Sequence, residues 1–251
     1  GVMMFDVQPF PPFPQLAPRL RTVPVPNGLP SPVARFFRQV FGAEMPVIHS
    51  AVVSGRGHIR IMGVTLPVRW RFVHEAGRSY RHYIEAMALG RPLMRVNERY
   101  VDGHSLFEMP FGVVDDQPKT NSAANLGLWA ESLFLPSVYL TDKRVRWEAI
   151  DDTSAALYVP FEDREDKFVA VFDAESGLLR YLETMRYRSE SATEKVGWRA
   201  EAMNWKQIEG ILLPTLNMAH WMDQSAPWLV MTLEEVVYDV DVSQYLRQKG
   251  I

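Results

Sequence analysis

The stretch TLPVRWRFVHEAGRSYRHYIEAMALGRPLMRVNERYVDGH, Thr65 to His104, alternates apolar or aromatic residues with arginines and other polar residues at a period of two. That period puts successive side chains on opposite faces of a pleated strand. Gly77, Gly90 and Gly103 interrupt the alternation, and the Asp102-Gly103 pair suits a tight hairpin turn. Strands are therefore predicted at 65–74, 79–89 and 93–101. With Arg69, Arg71, Arg81, Tyr83, Arg95, Asn97 and Arg99 turned outward, the inward side chains are Val68, Trp70, Phe72, Tyr80, His82, Ile84, Ala86, Met94, Val96, Glu98 and Tyr100. His82 and Glu98 are then polar groups on an otherwise apolar, aromatic face. A buried imidazole or carboxylate needs a hydrogen-bonded partner, and such groups gather at functional sites.

The same rhythm extends in both directions. Strands are expected at 48–54, 58–62 and 105–110, with turns at Gly55/Gly57 and Gly63. A second run follows at 145–150, 154–159, 167–172, 178–187, 197–208, 211–222 and 228–240, with Gly177 in a tight connection. Two helices break the pattern. The first is predicted over 31–41, where Ser31 can cap, Pro32 suits the first position and Gly42 the exit. Its Val33, Phe36, Phe37, Val40 and Phe41 recur at the spacing of a one-sided apolar stripe. The second is predicted over 121–134, with Leu126, Trp129, Ala130 and Leu133 inward and Pro136 limiting its length. A dozen strands are too many for a flat open sheet. The predicted fold is mainly β: a curled antiparallel sheet or unclosed β-barrel over residues 31–242, with two amphipathic helices as a lid. Nine of the eighteen prolines fall between Pro9 and Pro32, so residues 1–30 read as an extended arm, and 243–251 as a tail.

Apolar residues make up 47% and charged residues 23% of the 251, enough for a large core without metal or disulfide staples. The net charge of −3 lacks the basic excess of a general nucleic-acid binder. Charge is unevenly spread all the same. Nine arginines face three glutamates between Arg56 and Arg99, whereas nine acids face two basic residues between Glu148 and Glu175. The basic stretch reads as a solvated outer sheet face, or as a surface for peripheral membrane contact. No cysteine is present, which excludes disulfides, zinc–thiolate sites, iron–sulfur clusters and cysteine nucleophiles. No run approaches the ~20 apolar residues of a membrane helix. The sequence opens at Gly1, so a leader or anchor can have been cut away.

Chemistry-bearing motifs are sparse. None of the six histidines pairs at i, i+4, and no accompanying carboxylate cluster points to a metal, so neither metal nor cofactor is expected. There is no GxGxxG, no GxxxxGK[ST] and no GxSxG. Three local clusters remain. YVDGHSLFEMPFG places Asp102 and His104 at a turn, LWAESLFLP sets Glu131 in an apolar helix, and VRWEAIDDTSA puts Trp147 inward beside a turn at Asp151–Asp152.

The segments LPSPVARFFRQVFG, ERYVDGHSLF, WAESLFLPSVYL, VRWEAIDDTSAAL and VFDAESGLLRYLETMRYR together resemble a family of uncharacterised bacterial proteins. The resemblance covers about residues 29–239. It implies a fold similar to the lipoprotein-carrier proteins of the bacterial envelope, an unclosed antiparallel barrel with a helical lid. It therefore favours the cell envelope over the cytoplasm, and it assigns no catalytic residue. The sequence departs from a lipoprotein in lacking a cysteine to lipidate.

Three functions fit such a shape. In the first, an apolar or amphipathic small molecule such as a lipid is held by Phe37, Trp70, Phe72, Tyr80, Ile84, Met94, Val96, Trp129 and Trp147. In the second, a cofactor-free enzyme works on an apolar substrate in the same cavity, with Glu131, His104, His82 or Glu98 as acid and base. The third is an adaptor that binds a partner through the proline-rich arm. The sequence leaves the ligand and the oligomeric state open.

Overall fold

The computed structural model describes residues 7–251, so residues 1–6 of the expected arm lie outside the described residues. Two short strands, β1 (Thr22–Pro24) and β2 (Glu44–Pro46), pair with each other and flank helix α1 (Ser31–Phe41). The first meander runs through β3 (Ser50–Ile61), β4 (Val64–Glu75), β5 (Ser79–Ala88), β6 (Arg91–Val101), β7 (His104–Met109) and β8 (Gly112–Asp115). A helical segment follows, with α2 (Pro118–Glu131), a 3-10 turn (Ser132–Phe134) and α3 (Val138–Thr141). The second meander comprises β9 (Arg146–Ala149), β10 (Ser154–Phe161), β11 (Arg164–Phe172), β12 (Leu179–Arg186), β13 (Val196–Ile208), β14 (Ile211–Trp221) and β15 (Leu229–Tyr238).

Thirteen of these strands form one antiparallel sheet in the order β8-β7-β6-β5-β4-β3-β15-β14-β13-β12-β11-β10-β9. The chain starts at the centre, walks to one edge, crosses by the helices to the other edge and walks back. The sheet is curled and not closed, as the sequence predicts. Its edges, β8 and β9, are four residues each, and short edges resist unwanted pairing. Helix α2 spans the gap, touching β6 and β7 on one side and β10 and β12 on the other.

The centre of the sheet is where the sequence pattern misleads. Gly55 and Gly57 lie inside one continuous strand, β3, and not in a turn between two. A Cβ at Gly55 would stand 1.8 Å from the Thr232 carbonyl oxygen, and one at Gly57 1.9 Å from that of Val230. Glycine is needed there because β15 presses its backbone against β3, leaving no room for a side chain. At Asp102-Gly103 the turn is as expected, with φ of 51° and 81°, the positive pair of a type I′ hairpin.

Helix α1 keeps its predicted bounds, with Pro32 in the first turn and Gly42 at the exit, but Pro30 and not Ser31 holds the cap position. Its apolar stripe packs into the second meander, Phe36 against Phe172 and Trp205, and Phe37 against Trp147. Helix α2 begins three residues earlier than the sequence predicts, with Pro118 in its first turn, and it is not amphipathic: every residue from Ala123 to Ala130 is buried. The sheet wraps it on both sides, so it is part of the core.

The outward arginines also differ from expectation. Arg71 and Arg81 are on the convex face yet only 4% and 1% exposed. The arm covers the first: Phe10 lies 4.4 Å from the Arg69 guanidinium, and Arg71 donates to the Pro11 carbonyl at 2.6 Å. The tail covers the second, since Arg81 donates to the Tyr245 and Gly250 carbonyls and its Nε donates to Asn97 at 3.0 Å. A cation that keeps its charge under a covering segment needs that segment's carbonyls as acceptors. Burial holds Arg81 down at about 10. Among the described residues no helix is long and apolar enough to cross a membrane.

Candidate functional site

Extending the inward alternation of β4 by one step adds His74 to Val68, Trp70 and Phe72. His74 pairs across the sheet with Tyr80, and the Phe72–His82–Glu98 row runs across β4, β5 and β6. Helix α2 ends above these rows and lowers Glu131 onto them. Glu131 Oε1 lies 3.1 Å from His74 Nε2 and 2.6 Å from His82 Nε2. An ionised carboxylate only accepts, so both imidazoles donate from Nε2. His82 Nδ1 is 3.4 Å from Glu98 Oε2, which makes it an imidazolium with a carboxylate at each nitrogen. Its ring is sandwiched between Phe72 and Tyr80, with centroids 3.9 and 4.2 Å away.

The electrostatics follow from this packing. Burial depresses the His82 imidazole, but the Glu131 charge and the hydrogen bonds to Glu131 and Glu98 outweigh it and raise His82 to about 9. Burial likewise pushes Glu131 up, and the His82 charge with the two imidazole hydrogen bonds brings it down to about 2. Burial drives the Tyr80 phenol well above its ordinary range, with the Glu98 and Glu131 charges adding to the effect.

From the second meander comes Arg186, the last residue of β12. Its guanidinium stacks 4.5 Å over the Trp198 ring, and its Nε has no hydrogen-bond partner among the described residues. Burial lowers its affinity for the proton against the pull of Tyr80, Glu98 and Glu131. The indole N–H groups of Trp198 and Trp228 also lack partners among the described residues. These groups surround a cavity of about 110 Å³ between α2 and the sheet, whose other walls include Ile59, Ile84, Val96, Leu133, Phe134 and Met231. Gly127 of α2 forms part of its roof. A Cβ there would stand 3.7 Å from Glu131 Oε2 and Tyr80 Oη and 4.0 Å from Arg186 Nη2. A carboxylate, a phenol and a guanidinium thus converge on the space that one missing methyl group leaves.

Of the residues expected from sequence, Phe72, Tyr80, Ile84, Val96, His82, Glu98 and Glu131 line this cavity. Five expected lining residues do not. Phe37 and Trp147 pack against each other beneath α1, and Trp70 fills the core between Phe72 and Phe134. Trp129 packs against Tyr139 and the Gly77 turn, and Met94 is half-buried against the core. His104 does not line the cavity: it pairs with Asp116 at 2.8 Å, and both side chains are exposed. Asp151 binds its own loop through Thr153 N–H and Ser154 Oγ, as turn residues do. Sequence reasoning left out Gly127, Trp198 and Trp228, and also His74 and Arg186. Alternation carried one residue further on β4, and from Leu182 on β12, finds the last two.

Among solved structures the fold is similar to that of a LolA superfamily protein from Nitrosomonas europaea, at 14% identity and a TM-score of 0.51, covering 87% of this chain and 96% of that one. A DUF1329 family protein from Desulfovibrio piger (12%, TM-score 0.47, 80% and 90% covered) and a putative outer membrane lipoprotein-sorting protein domain from Vibrio parahaemolyticus (9%, 0.45, 86% and 95%) are more distant. No curated protein matches in sequence. A family model does match, over residues 20–233, and the chain belongs to that family of unknown function, DUF6544.

Proposed function

We propose that this protein binds a small amphipathic molecule, taking its polar end into the cavity under α2. The observation that carries this function is Gly127. Glycine in a helix interior costs about 1 kcal/mol relative to alanine. Here it keeps open a space edged by Arg186, Tyr80 and Glu131. The partnerless Arg186 Nε and Trp198 and Trp228 indole N–H groups are donors awaiting an acceptor, which suits a carboxylate, phosphate or carbonyl oxygen. At about 110 Å³ the cavity is well below the roughly 300–1,000 Å³ that enclose a drug-sized ligand. It therefore accepts a head group, with an apolar remainder leaving past the half-buried Met109, Met218 and Trp228. A carrier role in the cell envelope is the setting that the sequence resemblance favours.

The test is native mass spectrometry of the purified protein, followed by solvent extraction and titration with dodecanoate and lysophosphatidylcholine read by tryptophan emission. One equivalent of an amphipathic molecule, or saturable binding that Gly127→Ala weakens at least tenfold, is expected. An empty protein with no saturable binding of either probe rules the function out.

A second function draws on the convergence of Glu131, His82 and Glu98. Three acid–base groups within reach of one another beside a cavity are what a cofactor-free enzyme on an apolar substrate requires. Under that alternative Glu131→Gln abolishes turnover of a bound substrate and leaves its binding intact.

A further inference from the structure

We propose that His74, His82 and Glu131 form a site for one divalent transition-metal ion, of the kind that zinc occupies. The proposal goes beyond amphiphile binding and does not depend on it. His74 Nε2, His82 Nε2 and a Glu131 carboxylate oxygen, brought from β4, β5 and the end of α2, all lie within 4.8 Å of one another. Ligands held at ~2.0–2.2 Å around a tetrahedral ion stand roughly 3.4 Å apart. The ion takes the place of the two Nε2 protons, which leave to solvent. The Glu131 Oε1 distances of 3.1 and 2.6 Å to the two imidazoles open to that value by a side-chain movement of less than about 1 Å.

Three further features match a metal centre better than an isolated ion pair. Behind His82, the Glu98 carboxylate faces Nδ1 at 3.4 Å, the pairing that orients metal-bound histidines. Stacking between Phe72 and Tyr80 fixes the His82 ring plane. The third is access. Two imidazoles and one carboxylate leave one position free, as in zinc sites that keep an open coordination position. Glu131 and His82 both line the cavity, so that position borders it. Trp198, 4% exposed, lines the same cavity, and its indole N–H has no partner among the described residues. A ligand oxygen on the ion would have this N–H and the Arg186 guanidinium beside it. Helical i, i+4 spacing of histidines cannot reveal this set. The two histidines sit on neighbouring strands, and their third partner is 49 residues beyond His82.

The whole chain, stripped with chelator, should be dialysed against Zn²⁺ for elemental analysis and titrated with Co²⁺ for its visible tetrahedral absorption. We expect one equivalent of ion per chain and a rise in Tm on addition of Zn²⁺. His74→Asn, His82→Asn and Glu131→Gln should each lose at least tenfold in affinity. Glu98→Gln, which leaves all three ligands in place, should lose about tenfold because His82 is then held less firmly and is less basic. His104→Asn, in the exposed His104–Asp116 pair, should change nothing. Far-ultraviolet circular dichroism of the stripped variants checks that each is folded. No stoichiometric ion on the parent chain, or unchanged affinity in folded Glu131→Gln, overturns the proposal. Gly127→Ala separates the two functions, since it narrows the cavity but keeps all three ligand residues, its methyl meeting Glu131 only at an ordinary contact of 3.7 Å.

Discussion

At Gly127 helix stability and cavity shape pull in opposite directions, and the substitution that satisfies the first harms the second. Gly127→Ala should raise stability by up to about 1 kcal/mol, because alanine is the better helix former and its methyl meets only ordinary contacts at 3.7 Å. Amphiphile binding should fall in the same variant, so chemical denaturation and titration should move oppositely. Gly55 is the reverse case. Gly55→Ala drives a Cβ into the Thr232 carbonyl and should cost at least about 3 kcal/mol, seen as a large drop in the urea midpoint. Gly197→Ala meets only the flexible Met222 side chain, at 3.2 Å, and should cost less than about 1 kcal/mol. Sequence pattern could not separate these glycines. Alternation states which face a residue occupies, as it did for His82 and Glu98, but not which backbone lies opposite. The same limit explains His104, a polar residue in a chemically suggestive motif that the hairpin turns to the surface.

Among the elements, the arm and the tail behave as parts of the domain's convex face. Phe13 packs with Val52, Val73, Val240, Val242 and Leu246 in a second apolar cluster, and its N–H donates to the Glu235 carboxylate. Phe10→Ala and Phe13→Ala should each destabilise the fold by about 2–3 kcal/mol and hasten proteolysis of residues 7–20. A melt unchanged by both substitutions would show that the arm is dispensable to the fold. Most strands and α1 were legible because proline, glycine and two-residue alternation act locally, whereas β3 read as two strands and the short β1, β2 and β8 did not read at all. The all-round burial of α2 was not legible, since it arises from two sheet halves that are distant in sequence. Arg186 was hidden for a related reason. Its strand reads as ordinary alternation, and only the curl of the sheet brings it opposite Tyr80 and Glu131.

For the molecule as a whole, strand order carries a consequence for time rather than for shape. The two meanders are local, each strand pairing with its sequence neighbour, and they can form independently. The β3–β15 seam, which sets Ala51 opposite Tyr238, joins residues 187 positions apart in the chain. It carries the largest loop-closure entropy and belongs to the last stage of assembly. The cavity draws Tyr80 and His82 from one meander and Arg186 and Trp198 from the other, so it exists only after that stage. A bound amphiphile should therefore slow unfolding in stopped-flow denaturant jumps and leave the refolding rate unchanged. On the proposed function, the ribosome must release β15 before an amphiphile can bind, so loading would follow synthesis.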